Sequence, residues 1–487
     1  MKNFLKKDFE NRKSFYVNRA SAVYPIYFKS QKNDLILSWL NYWTIKNKID
    51  SSTIVVNLRI YDLEGVFFCK KVLTLLPDNN FFSIRSLIRS EKFSGMVEIE
   101  IVSSLNLRFA FPAVIGFYKS ESLYSCVHSA GRFKGSEENQ TPSITEETNW
   151  TCKFNEKTSP FFHYINGTSN EDVRLMVNLY ASDGSCVNSI EILESFSAHA
   201  SKIYFIDRLF TDYTFEDGMY VGVACNNDSV FRRMVVGNYH KQDKHLEVTH
   251  SFPKQTLSDF CPKNTNGYDS FLAMFSDENL NLEARVFPTN CSNNFETLLA
   301  KQTFSSSAIG KPKETSKLSS GYGFIQQPEN IRLNLFCFSG GKVPSRLNTN
   351  FLYTVRNVQS VFSTDIATGA KSSVYPPKYS HWGSGVFGNG YDFVLMIRNI
   401  NHTLDAVSTK GSLFFFGLDE TIEHEIEVSG QAASSIVLSN LLNNKTLLNN
   451  TKEKIFTWFL RLDQPHSETF WVSFRKTDGC IVGDHGF

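Results

Sequence analysis

Apolar and polar residues alternate with a period of two from one end of this chain to the other, and that alternation restricts its fold more than any other feature. Ile54, Val56, Leu58 and Ile60 alternate with Val55, Asn57, Arg59 and Tyr61; Val173, Leu175, Val177 and Leu179 alternate with Arg174, Met176, Asn178 and Tyr180; Trp458, Leu460 and Leu462 alternate with Phe459 and Arg461. Side chains two residues apart share one face of a strand, so each segment predicts a strand with one face in a core. Clusters of Gly, Asn, Asp and Ser separate these segments, as hairpin turns require. Only Asp207-Arg-Leu-Phe and Ser439-Asn-Leu-Leu read as helix, one turn each. With no crossover helices, the expectation is an all-β chain.

The strands recur in blocks. Tyr61 and Gly65 match Tyr180 and Gly184, Leu87-Ile88 matches Leu209-Phe210, and Gly95-Met96 matches Gly218-Met219. The two blocks end on Val127-His128-Ser129 and Thr249-His250-Ser251, and a later block ends on Asp484-His485-Gly486. This repetition predicts tandem immunoglobulin-like antiparallel β-sandwich units of about 100 residues each. The expected division is a basic N-terminal extension at 1–34, unit one at 35–130, a linker at 131–159, unit two at 160–252, a linker at 253–267, a divergent unit three at 268–382 with a long loop at 305–321, and unit four at 391–487.

Composition narrows the function classes. Of 487 residues, 43 are Phe, 19 Tyr and 6 Trp, which suits thin two-sheet cores. A formal net charge of +1 offers no field to gather nucleic acid. No apolar run approaches a membrane span. The start, Met1-Lys-Asn-Phe-Leu-Lys-Lys-Asp, breaks into charge before a signal h-region forms, so the cytoplasm is the expected location, with non-classical export or assembly into a virion as other routes. Nine dispersed cysteines without a Cys-x-x-Cys pair predict buried free thiols in a reducing compartment. The Asn-x-Ser/Thr sequons at Asn139, Asn149, Asn166 and Asn401 then read as chance.

The candidate ligand-binding residues are the unit-closing histidines His128, His250, His381 and His485, with Trp382, Phe162, His163 and Tyr164 near unit edges. Units packed about an axis would bring the imidazoles together, and neutral imidazole suits zinc; the plainer role is to tie each last strand to a neighbouring carbonyl. No resident metal, cofactor or catalytic residue is assigned. His240-Lys-Gln-Asp-Lys-His245 reads as a surface hairpin whose imidazoles face each other. Gly383-Ser-Gly-Val-Phe-Gly388 has dinucleotide-loop letters, but a strand follows it rather than a helix, so it reads as an inter-unit turn. Asp484-His485 suggests an acid–imidazole pair without an activated serine. The functional expectation is a non-enzymatic binding scaffold contacting a glycan or a protein through loop aromatics. The alternatives are a structural assembly component, viral or surface-array, and a metal-dependent enzyme using the repeated histidines.

Overall fold

A computed structural model of the chain shows antiparallel two-sheet units throughout. It describes residues 18–487 except 47, 77–78, 108–113, 134–145, 149, 182–184, 217, 227–229, 232, 254–259, 263–269, 275–278, 287–294, 303–313, 320–322, 327–331, 340–341, 345, 372–378, 400–407, 429–432, 443–451 and 465–466; from 283 to 349 it describes backbone pairing alone.

Unit one sets the plan with eight strands: Arg19–Phe28, Asn33–Leu40, Ile54–Asp62, Phe67–Leu73, Asn79–Ser83, Phe93–Ser103, Ile115–Ser120 and Leu123–His128. One sheet has the order one-six-three-four and the other five-two-seven-eight. The alternation works as expected. Ala22, Tyr24 and Ile26 of strand one, Leu35 and Leu37 of strand two, Val56, Leu58 and Ile60 of strand three, and Val97, Ile99 and Ile101 of strand six fill the space between the sheets. Each such Val, Leu or Ile side chain contributes about 1.5–3 kcal/mol by leaving water.

The same order recurs in units three and four. Unit four runs Ser380–Phe387, Tyr391–Asn399, Thr409–Phe416, Ile422–Val428, Ala433–Val437, Lys454–Leu462, Ser467–Arg475 and Ile481–His485. Unit two keeps strands two to eight, from Thr158–Ile165 to His245–His250, and the short strand Glu146–Thr148 takes the place of strand one beside strand six. The repeat extends to detail. A single helical turn follows strand five in units one, two and four: Ile84–Leu87, Ile206–Leu209 and Leu438–Leu441. Its first residue is fully buried each time. In units one and four an aspartate of strand two holds this turn, with Ser83 Oγ donating to Asp34 and Ser439 Oγ to Asp392, both at 2.6 Å. Unit two exchanges the partners, and Ser159 of strand two donates to Asp207 of the turn at 2.7 Å. The turn between strands seven and eight carries a left-handed residue in all four units: Glu121, Lys244, Asn357 and Gly479.

Several boundaries differ from the sequence expectation. Residues 19–28, assigned to the basic extension, are strand one of unit one; its inward positions begin with Ala20 and Ala22, too small to announce a core strand beside so many lysines. Within the two expected linkers, Glu146–Thr148 and Phe260–Pro262 pair as strands, and Glu314–Ser319 is a strand within the expected long loop. Ser380–Phe387 belongs to unit four, paired with Lys454–Leu462. Gly383 and Gly385 therefore lie inside a strand, where bare backbone makes room for rings. A Cβ on Gly383 would stand 2.7 Å from Trp458, which is fully buried. Gly383→Ala is expected to cost about 1–3 kcal/mol in urea unfolding; unchanged stability would contradict this packing.

The four units close on one another through their eighth strands, which meet in the cyclic order one, two, three, four, one. Ser125 Oγ of unit one donates to the Leu246 carbonyl of unit two. Ser363 Oγ, at the edge of unit three, donates to Glu247 of unit two at 2.9 Å. Thr364 of unit three donates to the Gly483 carbonyl of unit four at 3.1 Å, and the Cys126 thiol of unit one meets that same carbonyl at 3.4 Å. Apolar contact follows the same circuit. Phe161, Val235 and Leu246 of unit two join the core of unit one, and Ile115, Phe117 and Tyr124 of unit one join that of unit four. No helix among the described residues is long and apolar enough to cross a membrane.

Candidate functional site: an axial imidazole cluster

Strand eight is the edge of its own sheet, but the neighbouring units cover it. Tyr124–His128 and His245–His250 are buried at every position. Ser125, Cys126, His128 and Thr364 of the eighth strands find partners across unit boundaries, and the last residue points toward the other units. Register fixes that residue. Ser38, Ile115 and His128 pair in turn across strands two, seven and eight of unit one; Met396, Phe470 and His485 do so in unit four. In unit two, Val235 pairs with His250.

The three imidazoles meet. His128 lies 4.4 Å from His250 and 4.7 Å from His485, ring centre to ring centre, and His250 lies 6.4 Å from His485. One ring nitrogen of each is within 4.8 Å of one from each of the others. His128 and His250 are 6 % and 2 % exposed. Phe487 packs on His128 at 4.7 Å and Phe252 on His250 at 4.8 Å, which closes the cluster with apolar walls.

Every ring is oriented through Nδ1. His250 donates to the Ser251 carbonyl at 2.9 Å and His485 to the Gly486 carbonyl at 3.2 Å. His128 faces Asp484 Oδ2 at 3.0 Å. Burial alone would raise the Asp484 carboxyl, but His128 and His485 beside it hold it below its usual range, so it stands as the anion that accepts from His128. Burial, with His128 and Arg233 nearby, drives His250 well below the usual imidazole range, so its ring is neutral. With Nδ1 as donor, Nε2 carries the lone pair. In His250 that Nε2 is buried without a partner.

Unit three departs from the pattern. Arg285, Asn350 and Ala367 pair in turn across its strands two, seven and eight, so Ala367 holds the place that histidine holds elsewhere. Ala367 is 1 % exposed, and the Asn350 amide beside it is buried with neither polar atom paired.

Of the residues proposed from sequence, His128, His250 and His485 come together. His381 does not, because it lies on the first strand of unit four, paired with Leu460, and not at the close of unit three. Trp382 stands one ring behind the cluster, 5.2 Å from Phe487. Phe162, His163 and Tyr164 lie on strand two of unit two and are 0, 3 and 2 % exposed. Phe162 stacks on Tyr204 and Tyr164 packs on Phe196. His163 is pushed down to about 3 by burial. His240 and His245 do pair across their hairpin, but both are buried, and His240 packs against Phe362 of unit three at 5.0 Å. The expected Asp484–imidazole pair exists with a different partner: His128, far away in sequence, and not the adjacent His485. The walls Phe252 and Phe487 and the gap at Ala367 escaped the sequence reading; the only signal for the walls was an aromatic two residues after each of two closing histidines.

No protein-family model matches this chain, and no curated protein matches it. Fold and site together define an all-β chain of four sandwiches closed about a cluster of three imidazoles.

Proposed function

We propose that this chain is a non-enzymatic interaction scaffold that associates with further copies of itself through the exposed fourth strands of its units. The observation that carries this is the fourth strand of unit one, Phe67–Leu73, an edge strand that no other strand pairs on its outer side among the described residues. Phe67 and Phe68 are 54 % and 49 % exposed, and Val66 and Val72 are 61 % and 56 % exposed. An exposed apolar edge of this kind is a template for pairing with another chain. Lys70 and Lys71 give it a positive charge. The fourth strand of unit four, Ile422–Val428, has the complementary composition: Glu423, Glu425 and Glu427 are exposed and alternate along its outward face. Pairing the one strand with the other from a second copy is a head-to-tail contact, which builds rings or filaments.

The burial of Trp382, Phe162 and Tyr164 favours a protein partner over a glycan stacked on those rings. Burial of His128 and His250 likewise favours a structural role for the cluster over turnover of a substrate. Cys126 and Cys480 are buried and form no disulfide, which fits a reducing compartment. Sedimentation velocity over a range of concentrations tests the proposal. Association that weakens with salt, is lost in Lys70→Glu and returns when Lys70→Glu is combined with Glu425→Lys is the expected result. A single monomeric species at every concentration would overturn it.

A further inference from the structure

We propose that His128, His250 and His485 bind one divalent transition metal ion of the zinc class, which ties units one, two and four together at the axis. The ligand chemistry is that of a metal site. Three imidazoles from three separate units place nitrogens within 4.8 Å of one another, with His128 and His250 buried and His485 partly buried. Each Nδ1 is held by an oxygen: Asp484 for His128, Ser251 for His250 and Gly486 for His485. That is the outer-shell arrangement that orients metal-ligating histidines, a carboxylate or a backbone carbonyl fixing the tautomer so that Nε2 faces the ion. A buried Nε2 left without a partner is costly, and in His250 an ion supplies that partner.

Bond lengths of about 2.0–2.1 Å in a tetrahedral site bring ligand nitrogens to about 3.4 Å from one another, so binding draws the rings inward. The ion would not receive a fourth imidazole, because unit three offers Ala367 at that register. A small fourth ligand such as water therefore completes the coordination. A set of three protein ligands with one open position is the arrangement of catalytic zinc and not of closed structural zinc; here it follows from the alanine that unit three places at the fourth position.

The test uses the full chain after chelator treatment and dialysis, loaded separately with Zn2+ and with Co2+. The expected result is one ion per chain by elemental analysis, a rise in the thermal midpoint on loading, and visible Co2+ absorption of tetrahedral intensity that Zn2+ competes away. His250→Ala should abolish this binding, while Asp484→Asn should weaken it by about 10–100-fold. His424→Gln, outside the cluster, should leave it unchanged. If His250→Ala fails to fold, the Asp484→Asn affinity and the wild-type Co2+ spectrum still decide the matter. Wild-type protein that retains neither ion in stoichiometric amount, or a folded His250→Ala variant that binds as tightly as wild type, would overturn the proposal.

Discussion

Acidification from about pH 7 to pH 4 should remove several kcal/mol of stability, most of it before the carboxylates protonate. The cause is buried neutral histidine. His163 and His245 both lie inside unit two, and burial lowers each from 6.5 to about 3. Around His245, the neighbours His240 and Lys153 push the same way and Glu247 opposes them. The unfolded chain takes up a proton at each of these residues as pH falls through about 6.5, whereas the folded chain refuses it until about 3. Between those values the unfolded state binds more protons, so stability rises with pH across that window and is lost on the way down. Each pKa unit corresponds to about 1.4 kcal/mol, and a domain's whole net stability is only about 5–15 kcal/mol. Urea unfolding midpoints measured across the window should fall steeply with acid, and His163→Leu should flatten the slope. A flat profile from pH 7 to pH 5 would contradict the burial of these rings.

Removing the Glu247 carboxylate should cost about 3–5 kcal/mol, the usual penalty for breaking a buried ion pair. Glu247 is 3 % exposed and holds three partners: His240 Nε2 at 2.7 Å, Lys153 Nζ at 2.8 Å and Ser363 Oγ at 2.9 Å. Burial works to raise its pKa, but Lys153 and His240 outweigh that and bring it down to about 2. Its contribution is therefore present above the ordinary carboxylate range and disappears as pH falls through about 2. Glu247→Ala leaves His240 Nε2 without its acceptor, takes the carboxylate from Lys153, which keeps its bond to Ser363 Oγ at 2.7 Å, and cuts the Glu247–Ser363 bond between units two and three. Replacing Lys153 and Glu247 together with methionine should recover much of the loss, since well-packed apolar residues often match a buried pair. The exposed pair Lys202–Glu194, with side chains 44 % and 33 % exposed, provides the contrast: Glu194→Ala should change stability by no more than about 1 kcal/mol. Equal losses from Glu247→Ala and Glu194→Ala would show that Glu247 is not buried between units.

What the sequence disclosed follows from what local pattern can encode. Strand alternation, the single helical turns at Ile206–Leu209 and Leu438–Leu441, and the closing positions of His128, His250 and His485 are local features, and all were legible. Strand eight was harder to place. Leu123–His128 mixes Ser125, Cys126 and His128 with apolar residues, yet every residue after Leu123 is buried. Its polar atoms are satisfied by other units, and a contact between residues more than a hundred positions apart leaves no periodic trace. The same reason hid the pairing of His128 with Asp484 and the enclosure of the His240–His245 hairpin. His381 resembles a closing histidine in the sequence because unit three has Ala367 at its own register, and Ser380-His381 is the next Ser-His in the chain. Strand one of unit one was masked by its own lysine-rich neighbourhood and its small inward alanines.

Small-angle X-ray scattering of the dilute, monomeric chain tests the closure of the four units most directly. A ring closed through the eighth strands has the radius of gyration of one compact body, about 23 Å for this length. Four sandwiches strung along their connections would give about twice that value, and such a result would separate the three histidines and contradict the account.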